Sequence, residues 1–393
     1  MKALLFCTVL PLAQMAAGQT PQPAPRPLPR LQSPEVTSDN RVTFRFRDGN
    51  AQKVMVNIAG QAQPLAMQKD AGGVWTATSG PMSPDLYSYT FNVDGVTLLD
   101  PSNAAIVPNL LNPSNFLNVP APSPQPWDNS DIPHGEIHHH FYKSQIVGDN
   151  RDFYVYTPPG YDAKSNKRYP VLYLLHGYSD DASGWTAVGH ADFILDSLID
   201  SGQAKPMIIV MPLGYGDPAI LHPAPGTGGA FSNADLRAKN FNNFTAALLD
   251  EVIPRVEKDY NVMADRNSRA IAGLSMGGAE SLLTGLNHLD KFAWVASFSA
   301  GGESDDFAAD FPNLNSADNE KLRLLWVACG TEDRLIALNR NLLQWLNSKG
   351  VHYTQIETPG MHTWLVWRRN LDHLAPLLFQ GGNAQQQANN AVK

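Results

Sequence analysis

Two hydrophobic rhythms divide the chain. From about Glu35 to Asn118, apolar side chains recur at every second position. Val42, Phe44 and Phe46 alternate with Thr and Arg, Val54, Val56 and Ile58 follow, and Tyr87, Tyr89, Phe91 and Val93 repeat the pattern before an Asp94-Gly95 pair. A strand sends successive side chains to opposite faces, so this period of two predicts half-buried strands, with Asp-Gly as a hairpin turn. Short strands punctuated by turn signals predict a β-sandwich over residues 35–118. Further on, the rhythm changes to continuous apolar runs at Val171–Leu175, Ala270–Ala272 and Leu324–Ala328. Such runs predict parallel strands buried on both faces, and with them an α/β domain.

Between the two lies a stretch, 119–133, with Pro120, Pro122, Pro124 and Pro126, which reads as a semi-rigid linker. Residues 19–34 are rich in Pro and Gln, and 381–393 in Gln and Asn; both are predicted to be disordered. The first 18 residues read as a signal peptide: Lys2, an apolar stretch Ala3 to Leu12, then Ala16-Ala17-Gly18 before Gln19. That predicts a secreted protein, periplasmic or extracellular. No apolar run in the sequence is long enough to span a bilayer.

Composition narrows the function classes. A 393-residue chain with 43% hydrophobic residues can bury more than one core. A formal net charge of −8 argues against a nucleic-acid or anionic-membrane partner. Of the two cysteines, Cys7 falls inside the signal peptide and leaves Cys329 alone, so no intramolecular disulfide is expected. Cys329 reads as a small buried hydrophobe at a strand end.

The chemistry is concentrated at Gly273-Leu274-Ser275-Met276-Gly277-Gly278, directly after an apolar run. This is a G-x-S-x-G strand-to-helix turn with the serine at its apex and the Met276 N–H beside it. Two further segments follow in order. Cys329-Gly330-Thr331-Glu332-Asp333 places acids after a strand, and Gly360-Met361-His362 places a histidine in a later loop. A serine hydroxyl needs a neutral imidazole to take its proton, and the imidazole needs an acid to fix its tautomer. Taken alone, Asp333 also fits a helix N-cap and His362 a surface-loop histidine. An earlier strand ends in His176-Gly177-Tyr178, where a second oxyanion donor, the Tyr178 N–H, is expected, with His176 supporting the loop. Gly177, Trp185 and Trp364 are candidate substrate-binding residues. His138-His139-His140 suggests a metal only if a third ligand exists, and a solvated strand face is the preferred reading. Neither metal nor cofactor is predicted.

Residues 134–380 resemble the feruloyl esterase and acetyl xylan esterase domains of carbohydrate esterase family 1. The likeness rests on PHGEI (133–137), YVYTPPGYD (154–162), YPVLYLLHG (169–177), DRNSRAIAGLSMGG (265–278), LLWVACGTEDRLI (324–336) and GMHTWLVW (360–367). It implies an α/β-hydrolase catalytic domain with Ser275, Asp333 and His362 as triad, Asp333 rather than Glu332 being the acid. It also implies an oxyanion hole from the Tyr178 and Met276 amides. The implied substrate is a feruloylated or acetylated plant polysaccharide or oligosaccharide. One departure is a long Pro- and Gly-rich loop at about 214–232. The β-region resembles early-set, immunoglobulin-like modules related to carbohydrate-binding family 48, through Gly73-Val74-Trp75, Leu86–Tyr89 and Asp100–Asn103. An exposed Trp75 would stack on sugar, but a tryptophan in the core is the commoner case. Acetyl xylan esterase, siderophore esterase and acyltransferase chemistry remain open on the same triad. The complete Ser/Asp/His set argues against a non-catalytic glycan-binding protein.

Overall fold

The computed structural model describes residues 29–223, 229–381 and 385. The signal-peptide reading (1–18) lies outside these residues. So do most of the Pro-rich stretch, positions 224–228 of the long loop, and all of the 381–393 tail except 381 and 385. Within the Pro-rich stretch, residues 29–34 correct the expectation of disorder. Arg47 donates to the Pro29 carbonyl at 3.0 Å and Arg45 to that of Gln32 at 2.7 Å, while the Ser33 hydroxyl accepts from the Arg45 N–H.

The alternating segment forms two antiparallel sheets. One runs in the order Glu35–Val36, Val42–Arg47, Val74–Thr78, Gln68–Lys69; the other is built on Asp85–Val93, flanked by Val54–Ile58 and Ser114–Val119. The apolar positions of each sheet meet in a shared core. Phe44 lies 4.9 Å from Tyr89 and Phe46 5.0 Å from Phe91, centroid to centroid. Asp94 and Gly95 both take positive φ, as a two-residue hairpin between Val93 and Val96 requires. Trp75 belongs to this core. It is 7% exposed and its indole N–H donates to the Asp48 carbonyl, so it is not available to stack on a sugar.

The continuous runs form the centre of an eight-stranded sheet. Its order is Glu136–Lys143, Asn150–Thr157, Ile208–Pro212, Val171–Leu175, Arg269–Leu274, Trp294–Phe298, Leu324–Gly330, Thr354–Thr358. The first three strands pair antiparallel and the rest are parallel. Alternate residues of each run enter different cores. Leu172 and Leu174 pack with the helices Ala191–Asp200 and Trp364–Leu374, whereas Val171, Tyr173 and Leu175 pack with Met276–Asn287 and Ile336–Ser348. The PHGEI segment is pinned by one buried acid, Asp196. It accepts from Tyr156 at 2.6 Å, from the Gly135 N–H at 3.0 Å, and pairs with His134 at 2.8 Å. His138 and His140 share a face, as the strand period requires, and both pack edge-on against the Tyr260 ring.

The proline-containing stretch is an anchored strap. Trp127 is buried in the core of the α/β half, and the Arg368 guanidinium stacks on its ring. Arg368 also joins the two halves. It is fully buried, bonds Asp85 at 2.7 Å, and donates to the carbonyls of Val188 and Leu86. Arg369 pairs with the same carboxylate. Removing one partner of a buried pair leaves an uncompensated charge. Asp85→Ala is therefore expected to lower stability by about 3–5 kcal/mol in urea unfolding. A loss below about 1 kcal/mol, the value of an exposed pair, would show that this junction carries no such burden.

Candidate active site

Ser275 sits where the strand Arg269–Leu274 breaks into the helix Met276–Asn287, at the centre of the sheet. Its backbone is held at φ 52°, ψ −115°, outside the regions where L-residues rest. The flanking glycines permit this. A Cβ at Gly277 would lie 2.5 Å from the His176 carbonyl oxygen, and one at Gly273 would collide with the Gly277 carbonyl. Two backbone bonds lock the turn: the Ser275 N–H donates to Phe298, and its carbonyl accepts from the Gly301 N–H at 3.1 Å.

The structure brings together the three residues singled out in the sequence. His362 Nε2 lies 2.9 Å from Ser275 Oγ, and its Nδ1 lies 2.9 and 3.1 Å from the two Asp333 oxygens. This is the geometry in which an acid fixes the imidazole tautomer and the other ring nitrogen faces a hydroxyl. Asp333 is almost fully buried. Burial alone would raise its carboxyl, but the His362 hydrogen bond and charge, with the Leu335 N–H and Ser299, hold it below the ordinary value. Glu332 points elsewhere: its exposed carboxylate accepts the Gly360 N–H and so ties down the loop that carries His362. Cys329 is buried, and burial pushes its thiol up to about 12, which leaves it without nucleophilic character.

Met276 is the first residue of its helix, so its N–H has no intrahelical acceptor. Tyr178 lies in a tight turn closed by the Asp180 N–H on the Gly177 carbonyl. His176 is a loop support. Its Nδ1 lies 2.8 Å from the Gly177 carbonyl, its Nε2 accepts from the Gly214 N–H, and burial pulls its pKa down to about 4, so it stays neutral.

A cleft of about 400 Å³ opens over Ser275 and His362. Gly177, Tyr178, Trp364 and Arg334 line it from the α/β half. Trp185 does not. It is fully buried, its indole N–H donates to the Leu175 carbonyl, and it supports Trp364 edge-on at 5.1 Å. The second wall was not foreseen residue by residue. Tyr87, Ser88, Val107, Asn109, Asn112 and Phe116 come from the β-rich half.

Asp180 lies beneath this cleft with its carboxyl buried, and desolvation raises it to about 7 against the pull of the Asn109 amide. The folded state thus keeps a proton that the unfolded chain releases near 3.8. Wild-type stability should therefore fall relative to Asp180→Asn as pH rises from about 4 to 7, with no further change above. Paired thermal melts across that range test it; a constant gap at all pH values would contradict it.

Residues 144–377 match a family model described as "Putative esterase". An endo-1,4-beta-xylanase/feruloyl esterase of Xylanibacter ruminicola is 30% identical over 365 residues, covering 91% of this chain and 47% of that protein. An esterase of Mycobacterium tuberculosis is 25% identical, covering 60% of this chain and 58% of its own length. The chain thus spans about half the length of the curated relatives it matches. Among solved structures, a ferulic acid esterase superposes with a TM-score of 0.52 at 26% identity, covering 63% of this chain and 98% of that one. The enterobactin esterase of Shigella flexneri superposes with a TM-score of 0.63 at 22% identity, covering 86% and 93%. These likenesses place the eight-stranded half in an α/β-hydrolase-type fold.

Proposed function

This chain belongs to the esterase family, and from that premise we propose that it hydrolyses carboxylic esters through an acyl-enzyme on Ser275. The observation that carries the proposal is the unbroken line Ser275 Oγ, His362, Asp333 at the floor of a cleft. His362 Nε2 takes the Ser275 proton as Oγ bonds to the ester carbonyl. The resulting oxyanion is received by the Tyr178 and Met276 N–H groups. The intermediate collapses, the C–O bond to the alcohol breaks, and the alcohol leaves with the proton from His362. Water then repeats the sequence, with His362 as base, and releases the acid.

The substrate we propose is a hydroxycinnamoyl ester, feruloyl before acetyl, on plant cell-wall polysaccharide. The named activity of the Xylanibacter relative supports this, as does a cleft whose walls carry Trp364, Tyr178 and Phe116, aromatic surface suited to an aromatic acyl group. Export through the signal-peptide pattern fits such a substrate. The β-rich half is proposed to be an early-set, immunoglobulin-like module; with Trp75 buried, its contribution is assigned to the cleft wall rather than to a separate sugar platform. Methyl ferulate, acetylated xylan and a siderophore ester assayed side by side test the order. Deacetylation of xylan without release of ferulate would overturn the acyl preference and leave the mechanism standing.

A further inference from the structure

The turn that carries the Tyr178 amide is strained, and it is held from outside its own half of the molecule. Ser179, the third residue of the Gly177–Asp180 turn, has φ +73°, a conformation that favours glycine. Positive φ at that position alone is the pattern of a type II turn. A serine stays there only when its surroundings over-determine it. Three hydrogen bonds from the β-rich half do so, beside the Tyr215 hydroxyl, which donates to the Asp180 carbonyl from the α/β half at 2.7 Å. The Leu110 N–H donates to the Ser179 carbonyl at 2.7 Å. The Asn109 side-chain amide donates to Ser179 Oγ at 3.0 Å and to Asp180 Oδ1 at 2.9 Å. Asn109 is itself fixed, because its Oδ1 accepts from the N–H groups of Leu111 and Asn112. One side chain therefore closes its own loop with its oxygen and clamps the strained turn with its nitrogen.

We propose that Asn109 is a positioning residue for the reaction: it holds the Ser179–Asp180 turn so that the Tyr178 N–H faces the developing oxyanion. This rests on the oxyanion role proposed for Tyr178. An oxyanion donor acts only from its own geometry, and a displacement on the order of 1 Å at such a site can cost up to about 10²-fold. The β-rich half is then part of the catalytic apparatus through a hydrogen bond that does not depend on what substrate the cleft accepts.

The test is steady-state kinetics of the full chain on 4-nitrophenyl acetate, too small to need the β-rich wall, together with thermal melts. Asn109→Ala is expected to lower kcat at least about ten-fold, with KM within two-fold of wild type. Asn109→Ser keeps a short neutral acceptor for the Leu111 and Asn112 N–H groups but cannot reach the turn, so it should preserve folding and lose kcat as Asn109→Ala does. Glycine adopts positive φ without strain, so Ser179→Gly should restore most of the lost kcat in the Asn109→Ala background. A general loosening of the fold would not be repaired by one glycine in this turn. If both Asn109 variants keep kcat within two-fold, or if Ser179→Gly restores nothing, the inference is wrong while the esterase reading stands. Turnover by Ser275→Ala at the wild-type rate would overturn that reading and this inference with it.

Discussion

Ser275→Ala is expected to reduce kcat on an aryl ester by about 10⁶-fold, the scale seen when a triad nucleophile is removed. The hydroxyl 2.9 Å from His362 Nε2 is the group that bonds to carbon in the proposed mechanism. Cys329, the one cysteine among the described residues, is buried with its thiol pushed up to about 12 and cannot substitute. What survives should be catalysis from binding and the oxyanion site alone, roughly 10³–10⁴ over water. His362→Ala and the Ser275→Ala/His362→Ala pair should lose about as much as Ser275→Ala, because the residues act as one unit. The substitution removes one oxygen from a position defined by backbone, so the melting temperature should stay within a few degrees. Wild-type hydrolysis by well-folded Ser275→Ala would falsify the assignment.

The floor of the site was legible because its signals are local. A glycine pair around a serine after an apolar run, an acid just past a strand and a histidine after another each occupy a few neighbouring residues. The parallel order of the strands then brings those loops together at the carboxyl ends of the strands. Which residues of the β-rich half form the side wall was not legible, for the same reason reversed. Asn109 meets Ser179 and Asp180 across about seventy intervening positions, and its own neighbours form an ordinary-looking loop. The only local trace is a pair of exposed leucines, Leu110 and Leu111, at its tip. Tryptophans are ambiguous from sequence in both halves. Trp75 and Trp185 lie beside family-like motifs, but each has its ring in a core and its N–H on a backbone carbonyl. A large apolar ring with one donor is satisfied by a strand end as well as by a ligand. Arg368 was invisible, since Arg368-Arg369 reads as a solvated pair on a helix. The carboxylate of Asp85, supplied from the β-rich half, together with the Val188 and Leu86 carbonyls, makes burial of that charge tolerable.

Asp333→Asn should cost roughly 10⁴-fold in kcat, whereas Glu332→Gln should cost less than about ten-fold. The two acids are adjacent in sequence and differ in what they face. Asp333 contacts His362 Nδ1 with both oxygens from a buried position, so its charge acts at short range on the imidazolium that forms during each proton transfer. An asparagine there can offer its amide N–H to Nδ1. That stabilises the tautomer whose proton sits on Nε2, and such a ring cannot accept from Ser275. The loss should therefore appear in kcat with little change in KM, and folding should survive the isosteric change. Glu332 holds the Gly360 N–H from an exposed position, so an amide oxygen replaces its carboxylate with little penalty. Stopped assays on methyl ferulate and 4-nitrophenyl acetate, with circular dichroism to confirm folding, separate the two. A larger loss from Glu332→Gln than from Asp333→Asn would transfer the orienting role to Glu332 and require the His362 loop to rearrange in solution.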